Sequence, residues 1–350
     1  GKVDVARPFP PWSLPEYPDW TENPHGDDTW GLYYHSLGWL AILDYGVDNA
    51  RTPEERRNCI ERLRSLLFSY MEFLASEPND QFPKMVWFDH ATAWRASAIA
   101  YFIERRFKEG LTDTEAALVA KVVREHESRL REYIQSGRWN ANNHGLFHAE
   151  ALWDLAQVFE VVPAEVKDLA LSHMRTVLST MIDFDEGVCR EHSIYYHLFD
   201  AWLLADSARY MRAFDVEVIP GYAGILRKMV RFYEDFAGDG DKLHAVGDTQ
   251  YGRKRASRML DEVQAISALE VDGDVEGEAT PRYRAYPRNG YYFFRSGSGA
   301  ARGSAFAILL DKPYVGAHGH FDGGSFTIYY GGKPVVIDSG GPFAYGKDLR

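Results

Sequence analysis

The sequence predicts an α+β multidomain chain, a long helical domain followed by a β domain. From about Trp30 to Leu269 the apolar residues recur at helical spacing almost throughout. Beyond about residue 270 the pattern changes to short β-branched and aromatic runs bounded by glycines. With 350 residues, 45% of them hydrophobic, the chain can bury large cores and is long enough for two domains.

Taken in order, residues 1–28 carry Pro8, Pro10, Pro11, Pro15 and Pro18 among Trp12 and Trp20. This reads as an irregular arm that packs its aromatics on the body. Helices are predicted over 29–46, 54–76, 90–108, 113–136, 146–160, 164–182, 195–213, 220–236 and 255–269. Pro53 with Glu54 and Glu55 behind it marks a first turn, and Thr112 with Glu115 is a capping-box pattern. Many of these helices are apolar over a broad face, which suits a closed layered array better than a thin bundle. No short repeat is present, so a strict solenoid is not indicated. Residues 271–281 form an acidic, Gly-containing linker. Strands are then predicted at 290–295, 304–310, 325–330 and 334–337, with Tyr330-Gly331-Gly332-Lys333 as a hairpin turn. The β domain thus spans 282–350. Four strands are few for an independent sheet domain, so its remainder is expected elsewhere, on a second chain or removed.

Composition excludes several function classes. A net charge of −12 argues against a general nucleic-acid or anionic-membrane binder. The local cluster Arg253, Lys254, Arg255 and Arg258 is either a cation-rich patch for an anionic substrate or a solvated helix start. Cys59 and Cys189 alone make neither a disulfide framework nor a zinc ribbon. No stretch approaches the length of a membrane span, and no signal peptide is visible. Phosphate loops, dinucleotide fingerprints, nucleophile elbows and His-Glu-x-x-His are missing from the sequence.

Three clusters carry chemistry. Asn142-Asn143-His144-Gly145 precedes a predicted helix. Its asparagines are either ordinary N-caps or, with the imidazole, an anion receptor at the positive end of the helix. Glu191-His192-Ser193-Ile194-Tyr195-Tyr196-His197 opens another helix, and its aromatics cannot all face the core. A tyrosine hydroxyl in a cleft transfers protons if cations such as Arg190, His144 or His318 lower its pKa. His318 and His320 stand two apart, so on a strand they face the same side. They either bind a metal jointly or divide into a catalytic residue and a ligand, with Asp338 as acidic partner. Upstream, His90 and Trp94 lie one helical turn apart with Arg95 alongside. That trio offers a sugar platform and a carboxylate clamp, or else Arg95 makes a surface salt bridge. His244 to Asp248 reads as a loop lining the domain junction.

In this order the three clusters resemble the heparinase II/III-like polysaccharide lyases and the related alginate lyases. The most specific parts are Asn142–Gly145, the Glu191-x-Ser193-x-x-Tyr196-His197 run, and His318-x-His320-x-Asp322 continuing through Phe326 to Asp338 and Gly340. The resemblance implies an incomplete (α/α) toroid over 29–270, an antiparallel β-sandwich, and an active site in the cleft between them. It also implies β-elimination on a uronic-acid-containing polysaccharide, and the Phe326–Tyr330 run with the Arg253–Arg258 cluster favours a glycosaminoglycan, alginate next. Asn143 and His144 would neutralise the uronate carboxylate, with Asn142 and Arg95 in support. Tyr196 would be the acid, and in a syn elimination also the base. His318 would be the base of an anti elimination or would hold the sugar. His90, Trp94, Arg190 and Tyr195 complete the expected substrate contacts. A structural zinc on His320 and Asp338 is further implied, its third ligand lying outside this sequence. The resemblance suggests a periplasmic or secreted bacterial enzyme with no organic cofactor. Two other readings stay open: a toroidal glycoside hydrolase using Asp183, Asp185, Glu186 or Glu191, and a non-catalytic polysaccharide-binding protein.

Overall fold

The computed structural model describes residues 2–76, 82–137, 139, 142–236, 243–250, 254, 256–268, 283–296, 305–312, 318–338, 340 and 341. The expected linker at 271–281, together with Arg253 and Arg255, lies outside the described residues. The chain forms two compact units, residues 1–174 and 175–350.

The first unit begins with the aromatic arm. Strands β1 (Lys2–Val3) and β2 (Trp12–Ser13) pair as a small antiparallel ribbon. Trp12 then meets Trp30 and Tyr34 edge-on, and the buried Trp20 donates its indole N–H to Ser69 Oγ at 3.0 Å. Its helices are α1 (Asp28–His35), α2 (Ala41–Asn49), α3 (Pro53–Ser76), α4 (Asp89–Phe102), α5 (Asp113–Gln135) and α6 (Asn143–Val158). The expected 29–46 helix is two helices. The chain breaks at Leu37, whose φ of 60° is left-handed, and Trp39 folds back to donate to Tyr34 O at 3.0 Å. Glu115 N bonds Thr112 Oγ1 and the Glu115 carboxylate takes Thr112 N, the full capping box that the sequence signals. Helix α4 packs on α6, and α3 packs on α5. Helix α7 (Glu165–Met181) continues from this unit into the next.

The second unit holds a two-stranded turn, β3 (Ile182–Asp183) with β4 (Val188–Cys189), and then α8 (Ile194–Arg212), α9 (Tyr222–Phe236) and α10 (Ser257–Ala268). A five-stranded antiparallel meander follows: β5 (Tyr283–Tyr286), β6 (Tyr291–Ser296), β7 (Ala305–Leu310), β8 (Phe326–Tyr330) and β9 (Lys333–Val336). Strand β5 is one more than the sequence reading found. Gly331 and Gly332, both at positive φ, make the β8–β9 turn, as two-residue hairpins of this twist require. Among the described residues the β region is a single sheet, not two. Alternate residues Tyr291, Phe293, Ile308 and Leu310 are buried against Leu198, Phe232, Phe236 and Leu260, so helices cover that face of the sheet.

Candidate active-site clusters

In the first unit, α4 and α6 begin close together and bring their opening residues into one cluster. Asn142 is the N-cap of α6, its side-chain oxygen taking His144 N at 3.1 Å. Its amide therefore serves the helix, the plainer of the two sequence readings. Asn143 is the first helical residue and half-buried. His144 Nδ1 lies 2.9 Å from Asp89 Oδ2. An ionised carboxylate only accepts, so that nitrogen carries the hydrogen. Burial raises the Asp89 pKa, but the hydrogen bond and charge of His144 and the His90 backbone N–H outweigh it and hold the group below the usual range. The His90 ring lies 3.9 Å from that of His144 and 4.4 Å from Trp94. Burial, then the neighbouring His144, pushes the His90 pKa down to about 3. His90 and Trp94 therefore form a partly buried aromatic nest with Phe147, beside His144.

Arg95 departs from the expectation. It is fully buried, neither a substrate clamp nor a surface ion pair. Its Nε donates to His126 Nε2 at 2.8 Å and its Nη1 to His35 O at 3.0 Å, while Trp87 lies under the guanidinium. Position 95 falls on the core face of α4, one residue round from Trp94. Burial and the nearby Arg95 charge hold His126 well below its ordinary pKa, so a neutral imidazole accepts from the cation.

In the second unit a different set converges. His318 and His320 lie in a loop before β8, not on a strand. Their imidazoles still meet, because Asp248 takes both: His318 Nδ1 at 2.9 Å and His320 Nε2 at 3.0 Å, one on each carboxylate oxygen. Asp248 N donates to His318 O at 2.8 Å, which fixes the loop carrying the carboxylate. Gly247 makes this approach possible. It has φ +56°, and a Cβ there would sit 2.5 Å from His192 O and 2.6 Å from His318 O.

Tyr196 stacks on His318, with ring centroids 3.5 Å apart and planes 6° apart. It sits in the first turn of α8. Ser193, at the N-cap position, makes no side-chain cap there; Thr249 Oγ1 instead accepts Tyr195 N at 3.1 Å and meets Ser193 Oγ at 2.8 Å. The loop that supplies Asp248 thus also caps the helix that supplies Tyr196. His197 turns inward, accepting Cys189 N and facing Met229 O, and burial lowers its pKa to about 4. That settles which aromatics of the run face the core: His197 does, while Tyr195 and Tyr196 stay half-exposed.

Glu191 is buried, with a carboxylate oxygen 3.9 Å from His318 Nε2. Beneath it Cys189 Sγ lies 2.6 Å from Asp200 Oδ2. Burial, and then the Glu191 charge, raises Asp200 well above the usual carboxylate range. Arg190, expected among the substrate contacts, lies at the surface. It donates to Ser179 O and Thr180 O at the end of α7, so those carbonyls hold its charge. Asp183 and Asp185 engage Arg288, and Glu186 accepts from Arg288 N and from Asn289. These three carboxylates brace the β3–β4 turn and are spent there.

The expected zinc finds a partial donor set. Asp338 Oδ1 accepts Gly340 N at 2.8 Å, and burial raises the Asp338 pKa, with Asp322 adding to the rise and His320 opposing it. His320 Nε2 is engaged by Asp248. Among the described residues neither His320 nor Asp338 belongs to a cluster of three metal donors. Zinc sites take three or four protein ligands, so His320 and Asp338 would supply only part of one.

The sequence reading assigned no role to Asp89, and it placed Asp248 only as a loop residue. Their partners are 55 and 70 residues away, a separation no local pattern encodes.

Residues 278–350 match the family described as Heparinase II/III-like, C-terminal. Among solved structures, a heparinase III with methylated lysines matches with a TM-score of 0.68 at 15% identity, over 99% of this chain and 57% of its own. The heparan sulfate lyase HepC from Pedobacter heparinus matches with a TM-score of 0.64 at 16% identity, over 99% of this chain and 55% of its own. A second heparinase III structure gives 0.62 at 15% identity, over 92% and 52%. This chain therefore spans little more than half the length of the heparinases whose fold it shares. Comparison with curated proteins gave no match.

Proposed function

We propose that this chain is a polysaccharide lyase that cleaves a uronic-acid-containing polysaccharide by β-elimination. The observation that carries the reading is the stack of Tyr196 on an Asp248-held His318. Elimination needs one group to remove the C5 proton and another to protonate the departing C4 oxygen. A phenol and an imidazole in contact supply both. With Nδ1 donating to Asp248, the Nε2 of His318 is the nitrogen that exchanges a proton. Tyr196 is the acid, and in a syn elimination also the base; His318 is the base of an anti elimination.

The C5 proton is acidic only when the adjacent carboxylate is neutralised. That role falls to Asn143 and His144, by their chemistry and by the resemblance. Asp89 holds His144 for it. Tyr195, Trp94 and His90 are the proposed sugar contacts. Arg95 drops out because it is fully buried, while the exposed Arg190 stays a proposed contact. The favoured substrate is a heparan-sulfate-type glycosaminoglycan, with alginate next, and the protein is placed in the periplasm or outside the cell. The toroidal arrangement of the helices and a structural zinc on His320 and Asp338 belong to the same reading. The hydrolase alternative loses support because Asp183, Asp185 and Glu186 are committed to Arg288 and Asn289.

The test is a panel of heparan sulfate, chondroitin sulfate, hyaluronan and alginate, followed by the near-ultraviolet absorbance of the C4–C5 double bond. The wild type raises it on at least one substrate. Tyr196→Phe abolishes the rise with thermal unfolding nearly unchanged, because one hydroxyl is lost and the ring stack is kept. New reducing ends without absorbance would replace elimination with hydrolysis. Full activity in Tyr196→Phe would remove that residue from the chemistry.

A further inference from the structure

We propose that Asp89, His90 and His144 form a binding site for a divalent transition-metal ion of the zinc type, and that an ion held there inhibits turnover by occupying His144. The inhibition rests on the lyase reading above, whereas the binding does not.

One ligand atom from each of the three residues lies within 4.8 Å of the other two. Two imidazoles and a carboxylate are a donor set that zinc and cobalt accept, and three protein ligands leave a coordination position open. The second observation is His90 itself. The residue is more than nine-tenths buried, and Nε2 has no hydrogen-bond partner among the described residues. A buried imidazole nitrogen left unmatched costs free energy, and a bound ion would satisfy it. His144 and Asp89 are partly exposed, with side chains 27% and 18% accessible, so an ion can reach the cluster from solvent.

Local structure pre-assembles these donors. Asp89 and His90 open α4, Asn142 caps α6 two residues before His144, and α4 packs on α6. The aromatic wall of Trp94 and Phe147 limits where the His90 ring can turn. None of these residues belongs to the His320 and Asp338 pair of the second unit, so this is a separate site.

The experiment is titration of the intact protein with Co²⁺, read by the visible absorption of a nitrogen- and oxygen-coordinated ion. The wild type is expected to bind a single equivalent with a tetrahedral or five-coordinate spectrum. His90→Ala and, independently, Asp89→Asn should weaken it by at least ~100-fold, the upper end of what even outer-shell partners carry. His320→Ala should leave the spectrum in place. Circular dichroism confirms that each variant is folded, and Asp89→Asn serves if His90→Ala is not. Absence of a cobalt spectrum, or a spectrum unchanged in both first-unit variants, would overturn the site. Zn²⁺ should suppress the near-ultraviolet signal and a chelator should restore it. Binding without inhibition would overturn the regulatory half. Binding by a protein inactive on every polysaccharide would sink the lyase reading and leave the metal site standing.

Discussion

Replacing Asp248 by Asn tests the histidine clamp most directly. The carboxylate accepts from His318 Nδ1 at 2.9 Å and from His320 Nε2 at 3.0 Å, one bond per oxygen. Asparagine keeps the shape but offers one acceptor oxygen and an NH₂ group. One imidazole must then face a donor and surrender its hydrogen. If that ring is His318, its proton moves to Nε2, the nitrogen that must take a proton from the substrate. A charge-assisted bond contributes about 1.5–3 kcal/mol, and because the imidazoles are 25% and 33% exposed the lower end applies here. The expected loss of stability is therefore about 1.5 kcal/mol, a modest drop in unfolding temperature. The expected loss of kcat is larger, about 10–100-fold, the range for partners that orient a functional histidine. KM should move little. Initial rates from the near-ultraviolet signal and a thermal melt on the same preparation measure both. An unchanged kcat alongside the stability loss would show that Asp248 holds the fold and has no part in the reaction.

Gly247→Ala should lower both stability and activity, since a left-handed φ costs about 1–2 kcal/mol without glycine and the new Cβ collides with His192 O and His318 O. A melt and an initial rate measure it, and a fully active Ala variant would mean the loop has room to shift. Arg95→Ala should cost about 3 kcal/mol through the cavity and the unmatched His126, with turnover per folded molecule preserved; a selective loss of kcat would return Arg95 to the site. Acid should destabilise the protein. His90 titrates at about 3, and His148 and His197 at about 4, against an ordinary value of 6.5, chiefly through burial. The unfolded chain binds protons these folded rings refuse, so their contribution is intact above pH 6.5 and shrinks below it. Each ring removes up to about 1.4 kcal/mol per pH unit until its folded pKa is reached. Chemical denaturation between pH 7 and pH 5 reads the slope, and a flat profile would contradict it.

Much of the scaffold was legible in the residues. The Thr112–Glu115 capping box, the Tyr330–Lys333 hairpin and the strands near 290–295 and 304–310 follow from rules a few residues long, and each appears close to where those rules put it. The break at Leu37 did not, because a buried leucine in left-handed conformation has no local signature. Arg95 shows the same limit at the candidate site. Its neighbours on the helix suggested a clamp, but which face of α4 turns inward depends on the helices that pack on it.

The sequence by itself determined most of the long helices, four strands of the sheet and the residue types available for chemistry, because periodicity, caps and turns act over a few residues. Only the tertiary structure decided which of those residues meet. Asp89 reaches His144 and Asp248 reaches both His318 and His320 across 55 to 72 positions. Such pairs form when packed helices and a glycine-enabled loop bring distant backbones together, and the proton positions in each pair follow from that contact.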